Sequence, residues 1–235
     1  MPVQRLDTAS VFERIFAIYR AQAAVLLPAA LILYIVPAGL SLSRSVSGQV
    51  FSLAAGFIAA VWYQGLVAQA VRDIQDGRRD LGLRDLFGSV ADVLAPLLWT
   101  AILVGLGVFV GILAFIVPGL ILLTQWSVAA PVVVIERPSP TQALGRSREL
   151  VRGHGWQVFS VLLVMLLIVF IASTALAAVA NAVSGSAAAF AVASLLGSVI
   201  TAPFFALAAA VLYLELRRMR GEPPPPAGRS LTTGD

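Results

Sequence analysis

Six long apolar stretches, at about 22–42, 50–71, 94–117, 119–135, 157–182 and 188–214, alternate with shorter segments that carry nearly all the charge of the chain. A helix rises about 1.5 Å per residue, so roughly 20 apolar residues cross the hydrocarbon of a bilayer, about 30 Å thick. Each stretch is therefore predicted to be a membrane-spanning helix. The third and fourth are separated only by Pro118-Gly119, which predicts a tight helical hairpin or one kinked element.

The charged segments have a pattern of their own. Residues 9–20 place Val11, Phe12, Ile15, Phe16 and Ile18 among Glu13, Arg14 and Arg20. Residues 81–94 set Leu83, Leu86, Phe87, Val90 and Leu94 opposite Arg84, Asp85 and Asp92, and residues 141–151 set Ala143, Leu144, Leu150 and Val151 against Arg146, Arg148 and Glu149. Spacings of three and four predict amphipathic helices lying at the membrane interface. The expected architecture is an all-α membrane protein: a six-span helical bundle with about three interfacial helices. Interfacial helix plus hairpin reads as one unit repeated at 1–78, 79–137 and 138–220. The polytopic domain covers 1–222, and the Pro-rich segment 223–235 is expected to be a disordered tail.

Charge gives the orientation. With six spans, the N-terminal segment, the group holding Arg72, Arg78, Arg79 and Arg84, the group holding Arg137, Arg146, Arg148 and Arg152, and the group holding Arg217, Arg218 and Arg220 all fall on one side. The other side receives only Arg44. Arginine excess marks the cytoplasmic side, so both termini are expected there, with no cleaved leader. The composition agrees. Apolar residues make up 59% of the 235 positions and charged residues 12%, with a mean hydropathy of +0.92; a soluble domain is about 25% charged. The pI near 10.3 then reflects the one-sided arginines and not a nucleic-acid partner.

Little catalytic chemistry is legible. Cysteine is absent and His154 is the single histidine, which excludes thiol nucleophiles, Cys-ligated zinc and His-rich metal sites. Ser184-Gly185-Ser186 has the small residues of an intramembrane serine site, but His154 belongs to the opposite side of the predicted topology. The chain is expected to be no enzyme and to need no cofactor. Prolines 28, 37, 96, 118, 131 and 203 lie in or beside the spans, which otherwise hold neutral polar groups such as Gln64, Gln69, Thr124, Gln125, Ser173, Thr174, Asn181 and Ser194. These serve a Pro-kinked transport path for a small neutral or amphiphilic molecule, or ordinary contacts between helices. Gly107 and Gly111 form a GxxxG that admits a close helix, within the chain or in a homo-oligomer.

The densest polar run is 136–156. There Arg146, Arg148, Arg152 and Trp156 are the candidate contacts to lipid phosphate or to a partner protein, and Ser139 or Thr141 is the expected helix cap. Through Pro131, Val134, Glu136, Ala143, Leu144, Arg146, Ser147, Leu150, Gly153 and Trp156, and the ending Leu212-Tyr213-Leu214-Glu215-Leu216-Arg217, the chain resembles the membrane-domain family associated with glycerophosphoryl diester phosphodiesterases. The resemblance covers roughly 80–222, with Glu215 where that family more usually has Asp. It implies a polytopic bundle, of a kind found in many bacteria, without the soluble catalytic barrel. The concentration of arginine on one face leads to the expectation of a non-catalytic scaffold or accessory protein of a bacterial cytoplasmic membrane, contacting anionic lipid or a partner protein there. Tags placed at Arg78 and at Arg148 should be accessible from the same side of the membrane; labelling from opposite sides would overturn the six-span topology.

Overall fold

The computed structural model describes residues 8–43, 45–75 and 83–223. Arg44, Arg78, Arg79, the first residues of the expected 81–94 helix and all but Pro223 of the expected tail lie outside the described residues. Among the described residues there are nine helices and no strand: α1 (Thr8–Leu40), α2 (Val46–Gln75), α3 (Leu83–Ala91), α4 (Leu94–Ala114), α5 (Ile116–Gln125), α6 (Ala129–Glu136), α7 (Pro140–Val151), α8 (Gly155–Val183) and α9 (Ala187–Met219). Among the described residues six segments are long and apolar enough to cross a membrane: α1, most of α2, α4, α5 with α6, α8 and α9. The protein is a multi-pass helical membrane protein.

Helix α9 is the hub. Within its most apolar window 56% of residues are buried inside the protein, against 17% for α4 and for α8. It packs on α1, α8 and α2, so the first and last helices of the described chain are neighbours. The run from Ala206 to Tyr213 is buried without interruption, so α9 is enclosed all round over that stretch, while its first half exposes Phe190, Val192, Leu196 and Ile200 and most other helices turn one broad apolar face outward. Those outward faces carry Leu53, Phe109, Leu113, Phe170 and Ile171, each more than 60% exposed. Lipid tails solvate such side chains as well as a protein core does, so helix association here depends on close packing and on interhelical polar contacts.

Prolines set the helix boundaries. Pro118 falls in the first turn of α5, where its missing N–H costs nothing, while its ring excludes a helical carbonyl four residues back. The hairpin therefore turns at Phe115, in extended conformation (φ −160°, ψ 145°), three residues before the Pro118-Gly119 turn expected from sequence. Pro131 acts alike in the first turn of α6. The expected single span 119–135 is split by a turn at 126–128, and the carbonyl of Gln125 accepts instead from the Ser147 hydroxyl at 2.8 Å. In α1, which holds Pro28 and Pro37, hydroxyls of α2 reach the backbone near both prolines: Tyr63 donates to Leu26 O at 3.1 Å and Ser52 to Pro37 O at 2.8 Å. The hydroxyls thereby find acceptors on the neighbouring helix, as a polar group in hydrocarbon must.

Residues 9–20, expected as a separate interfacial helix, continue into the first span as one helix from Thr8 to Leu40. Nothing between them breaks the chain, and the first proline comes only at Pro28. Helices α3 and α7 are separate. In α7 the inward face is Ala143, Ser147, Leu150 and Val151; Leu144, expected with them, is half-buried, and Ser147 takes its place.

The GxxxG of α4 is used within the hairpin. A Cβ on Gly107 would lie 2.4 Å from the Trp126 ring, and one on Gly111 would lie 2.9 Å from Gly119 Cα. The reverse contact is tighter still, since a Cβ on Gly119 would meet Ile112 N at 2.7 Å, and backbone cannot step aside. Gly119→Ala should lower stability by about 1–3 kcal/mol, read as an earlier thermal transition in detergent. Gly105→Ala, where a Cβ meets nothing within 4 Å, should leave the transition in place.

Candidate functional site

One end of the bundle carries a closed ring of five side chains from three elements and the residues just after α9. Glu136 ends α6, because Arg137 adopts a left-handed conformation (φ 53°) that stops the helix there. Pro138 and Ser139 then lead into α7, with Pro140 at its first position and the Ser139 N–H donating to Gln142 Oε1 at 3.1 Å. This short connection brings Arg146 back over Glu136. Arg146 Nε donates to Glu136 Oε2 at 3.1 Å, and Arg146 Nη2 donates to Glu222 Oε2. From α9, the Tyr213 hydroxyl donates to Glu136 Oε1 at 2.9 Å, and Arg217 Nη1 donates to the Tyr213 hydroxyl at 3.0 Å. Arg217 Nε closes the circuit on Glu222 Oε2 at 3.0 Å.

Two guanidinium groups thus face two carboxylates, and the formal charges cancel. The four charged side chains are 12–25% exposed and Tyr213 is fully buried. They are partly withdrawn from water, so losing one partner would strand a charge. Burial pulls Arg146 toward the neutral form, but its hydrogen bonds and charge contacts with Glu222 and Glu136 outweigh this and raise it above the usual guanidinium range. Burial likewise works to raise Glu222, and the hydrogen bonds and charges of Arg146 and Arg217 overcome it, holding Glu222 below the usual carboxylate range.

Further ties surround the ring. Arg14 of α1 pairs with Glu215 of α9, and Arg220 donates to the backbone carbonyl of Glu149. Glu136, Glu215 and His154 do not form a common cluster. Among the described residues no group of three His, Cys, Asp or Glu side chains is placed to hold a metal ion.

The four residues expected to contact lipid or a partner divide between two places. Arg146 belongs to the ring. Arg148, Arg152 and Trp156 line a cavity of about 840 Å³ between α5, α7 and the start of α8. No carboxylate among the described residues pairs with Arg148 or Arg152, and Trp156 is 77% exposed. The cavity also touches Thr124 and Gln125, but neither Gln64 nor Gln69; Gln69 Nε2 instead donates to Asp73. Tyr213, Arg217 and Glu222 were not among the site residues read from sequence. Tyr213 and Arg217 stand four apart on one helix face, a spacing that hinted at joint use, whereas Glu222 follows the helix and carries no pattern.

Tyr213→Phe should cost about 1–3 kcal/mol of stability, as expected for a hydrogen bond to a charged group, and should be non-additive with Glu136→Gln in a double-mutant cycle. Because Glu222 is held below its unfolded value, its contribution is complete above about pH 4.3 and is lost as pH falls through the lower folded value. Thermal scans in detergent should therefore show an acid loss of stability that is shallower in Glu222→Gln; an unchanged slope would exclude Glu222 from the ring's energetics. No known family model, curated protein or solved structure matches the chain, and what sequence and fold together establish is a six-span α-helical membrane protein.

Proposed function

We infer that this protein is a non-catalytic accessory or scaffold protein of a bacterial cytoplasmic membrane, with both termini on the cytoplasmic side. Its working surface is the arginine-rich end, which contacts anionic lipid. The observation that carries this reading is the division of labour among the arginines. Arg146 and Arg217 are consumed in a neutral ring that fastens α6, α7 and α9. Arg148 on the exposed side of the same α7 and Arg152 just after its end are both exposed, beside an exposed tryptophan. A fastened helix that presents unneutralised guanidinium groups and an indole suits the headgroup region of a bilayer, which attracts basic side chains by about 1 kcal/mol each.

The residues behind the family resemblance support the same view. Glu136, Arg146, Tyr213 and Arg217 form most of the ring, and Ala143, Ser147 and Leu150 form the buried face of α7. Their packing role fits a free-standing relative of that membrane domain. A transport path draws less support, because the cavity that reaches Gln125 does not include Gln64.

Titrating anionic lipid into the detergent-solubilised protein should raise its thermal transition progressively, and zwitterionic lipid should not. Arg148→Gln with Arg152→Gln should remove most of that increment while leaving the starting stability intact. Equal stabilisation of variant and wild type would exclude these arginines as the lipid contact.

A further inference from the structure

The cavity between α5, α7 and α8 is divided by chemistry along its length. Helix α5 contributes Val117, Leu120 and Ile121, and Val117 lies eight residues, about 12 Å of helix, from Gln125. The charged groups come from α7 and the connection that follows it: Arg148, Arg152 and Glu149. Glu149 is turned toward Arg146, its carboxylate 3.4 Å from Nη1, which leaves the two arginines of the cavity as its uncompensated charge. At the same end α8 begins at Gly155 with no side-chain cap on its first amides, and a helix start favours phosphate. The volume, about 840 Å³, falls within the range of about 300–1,000 Å³ usual for a bound small molecule. Val117 and Ile121 are 64% and 49% exposed on the face of a membrane span, so the apolar part is open to lipid and not sealed in the bundle.

The geometry points to a stoichiometric binding site for one anionic phospholipid drawn from the surrounding bilayer, its phosphate between Arg148 and Arg152 and one acyl chain along Leu120 and Ile121. This deepens the lipid-contacting surface inferred above and rests on it. A merely basic surface would attract many anionic lipids loosely. A cavity with charge at one end and an apolar wall along α5 selects a single molecule that has both a phosphate and a tail. Trp156, at the rim, is suited to the glycerol level, where an indole finds both apolar and polar surroundings.

The charge and the groove can be removed separately. Gly145 lines the cavity, and a Cβ placed there meets nothing within 4 Å, so Gly145→Trp fills the space while keeping both arginine charges. Ile121→Trp does the same from the opposite wall. Each variant and the wild type would be reconstituted into nanodiscs of equal phosphatidylglycerol and phosphatidylcholine, checked for monodispersity, and released for native mass spectrometry. The wild type should keep one phosphatidylglycerol per chain, preferred roughly tenfold over phosphatidylcholine, as two arginines near a phosphate lead one to expect. Gly145→Trp and Ile121→Trp should lose the one-to-one species yet keep the graded thermal stabilisation by anionic lipid. The Arg148→Gln, Arg152→Gln variant should lose both. A one-to-one species undiminished in both tryptophan variants would overturn the groove while leaving the basic surface standing. Absence of any anionic preference in the wild type would overturn both.

Discussion

A charge at the margin of hydrocarbon persists only when its partners come with it, and the ring of Glu136, Arg146, Tyr213, Arg217 and Glu222 meets that condition with each of its members engaged. Much of the local architecture depends on it. Helix α6 is eight residues long and α7 is twelve, lengths that are marginal for an isolated helix. They hold their places because the left-handed Arg137 aims Glu136 at Arg146, and because α9 supplies Tyr213 from its fully buried side. Burial alone would not suffice where lipid is the alternative solvent, since apolar side chains lose little by facing acyl chains. Polar circuits and close backbone contacts provide the specificity.

The broken span obeys the same constraint on the backbone. A turn at 126–128 within a membrane-crossing segment exposes carbonyl groups that water cannot reach. Ser147 answers one of them, at Gln125, from α7, and Ser127 answers another, donating to Thr124 O at 2.9 Å. The irregular backbone and the short helix beside it are thus complementary. The same break turns the end of α5 toward α7 and so opens the cavity that Gln125 and Arg148 share.

The spans were legible because about twenty consecutive apolar residues have one economical solution in a bilayer. The helix ends were less so. Pro118 and Pro131 were visible as breaks, but each sits in the first turn of its helix, three residues past the boundary, so the hairpin turned at Phe115 and the fourth span divided in two. The continuity of α1 was hidden for a different reason. Residues 9–20 alternate charged and apolar positions just as an interfacial helix does, and only the packing of Val11 and Ile15 against the core joins them to the span. In the polar run, Glu136 pairing with an arginine could be anticipated from the mixture of charges. That Arg146 would be used inward and Arg148 outward depends on a rotation of about 200° between them around α7, and on Glu222, 76 residues away in the chain.

The packing of α1 against α9 has a consequence for biogenesis. A ribosome delivers α1 before α9, so α1 must wait in the bilayer through the synthesis of the segments between them before its main neighbour arrives. Arg14 lacks Glu215 during that interval, and Glu136 of α6 lacks the tyrosine that ties it to α9. A chain halted before α9 would therefore leave both α1 and α6 without the polar partners that fix them in place.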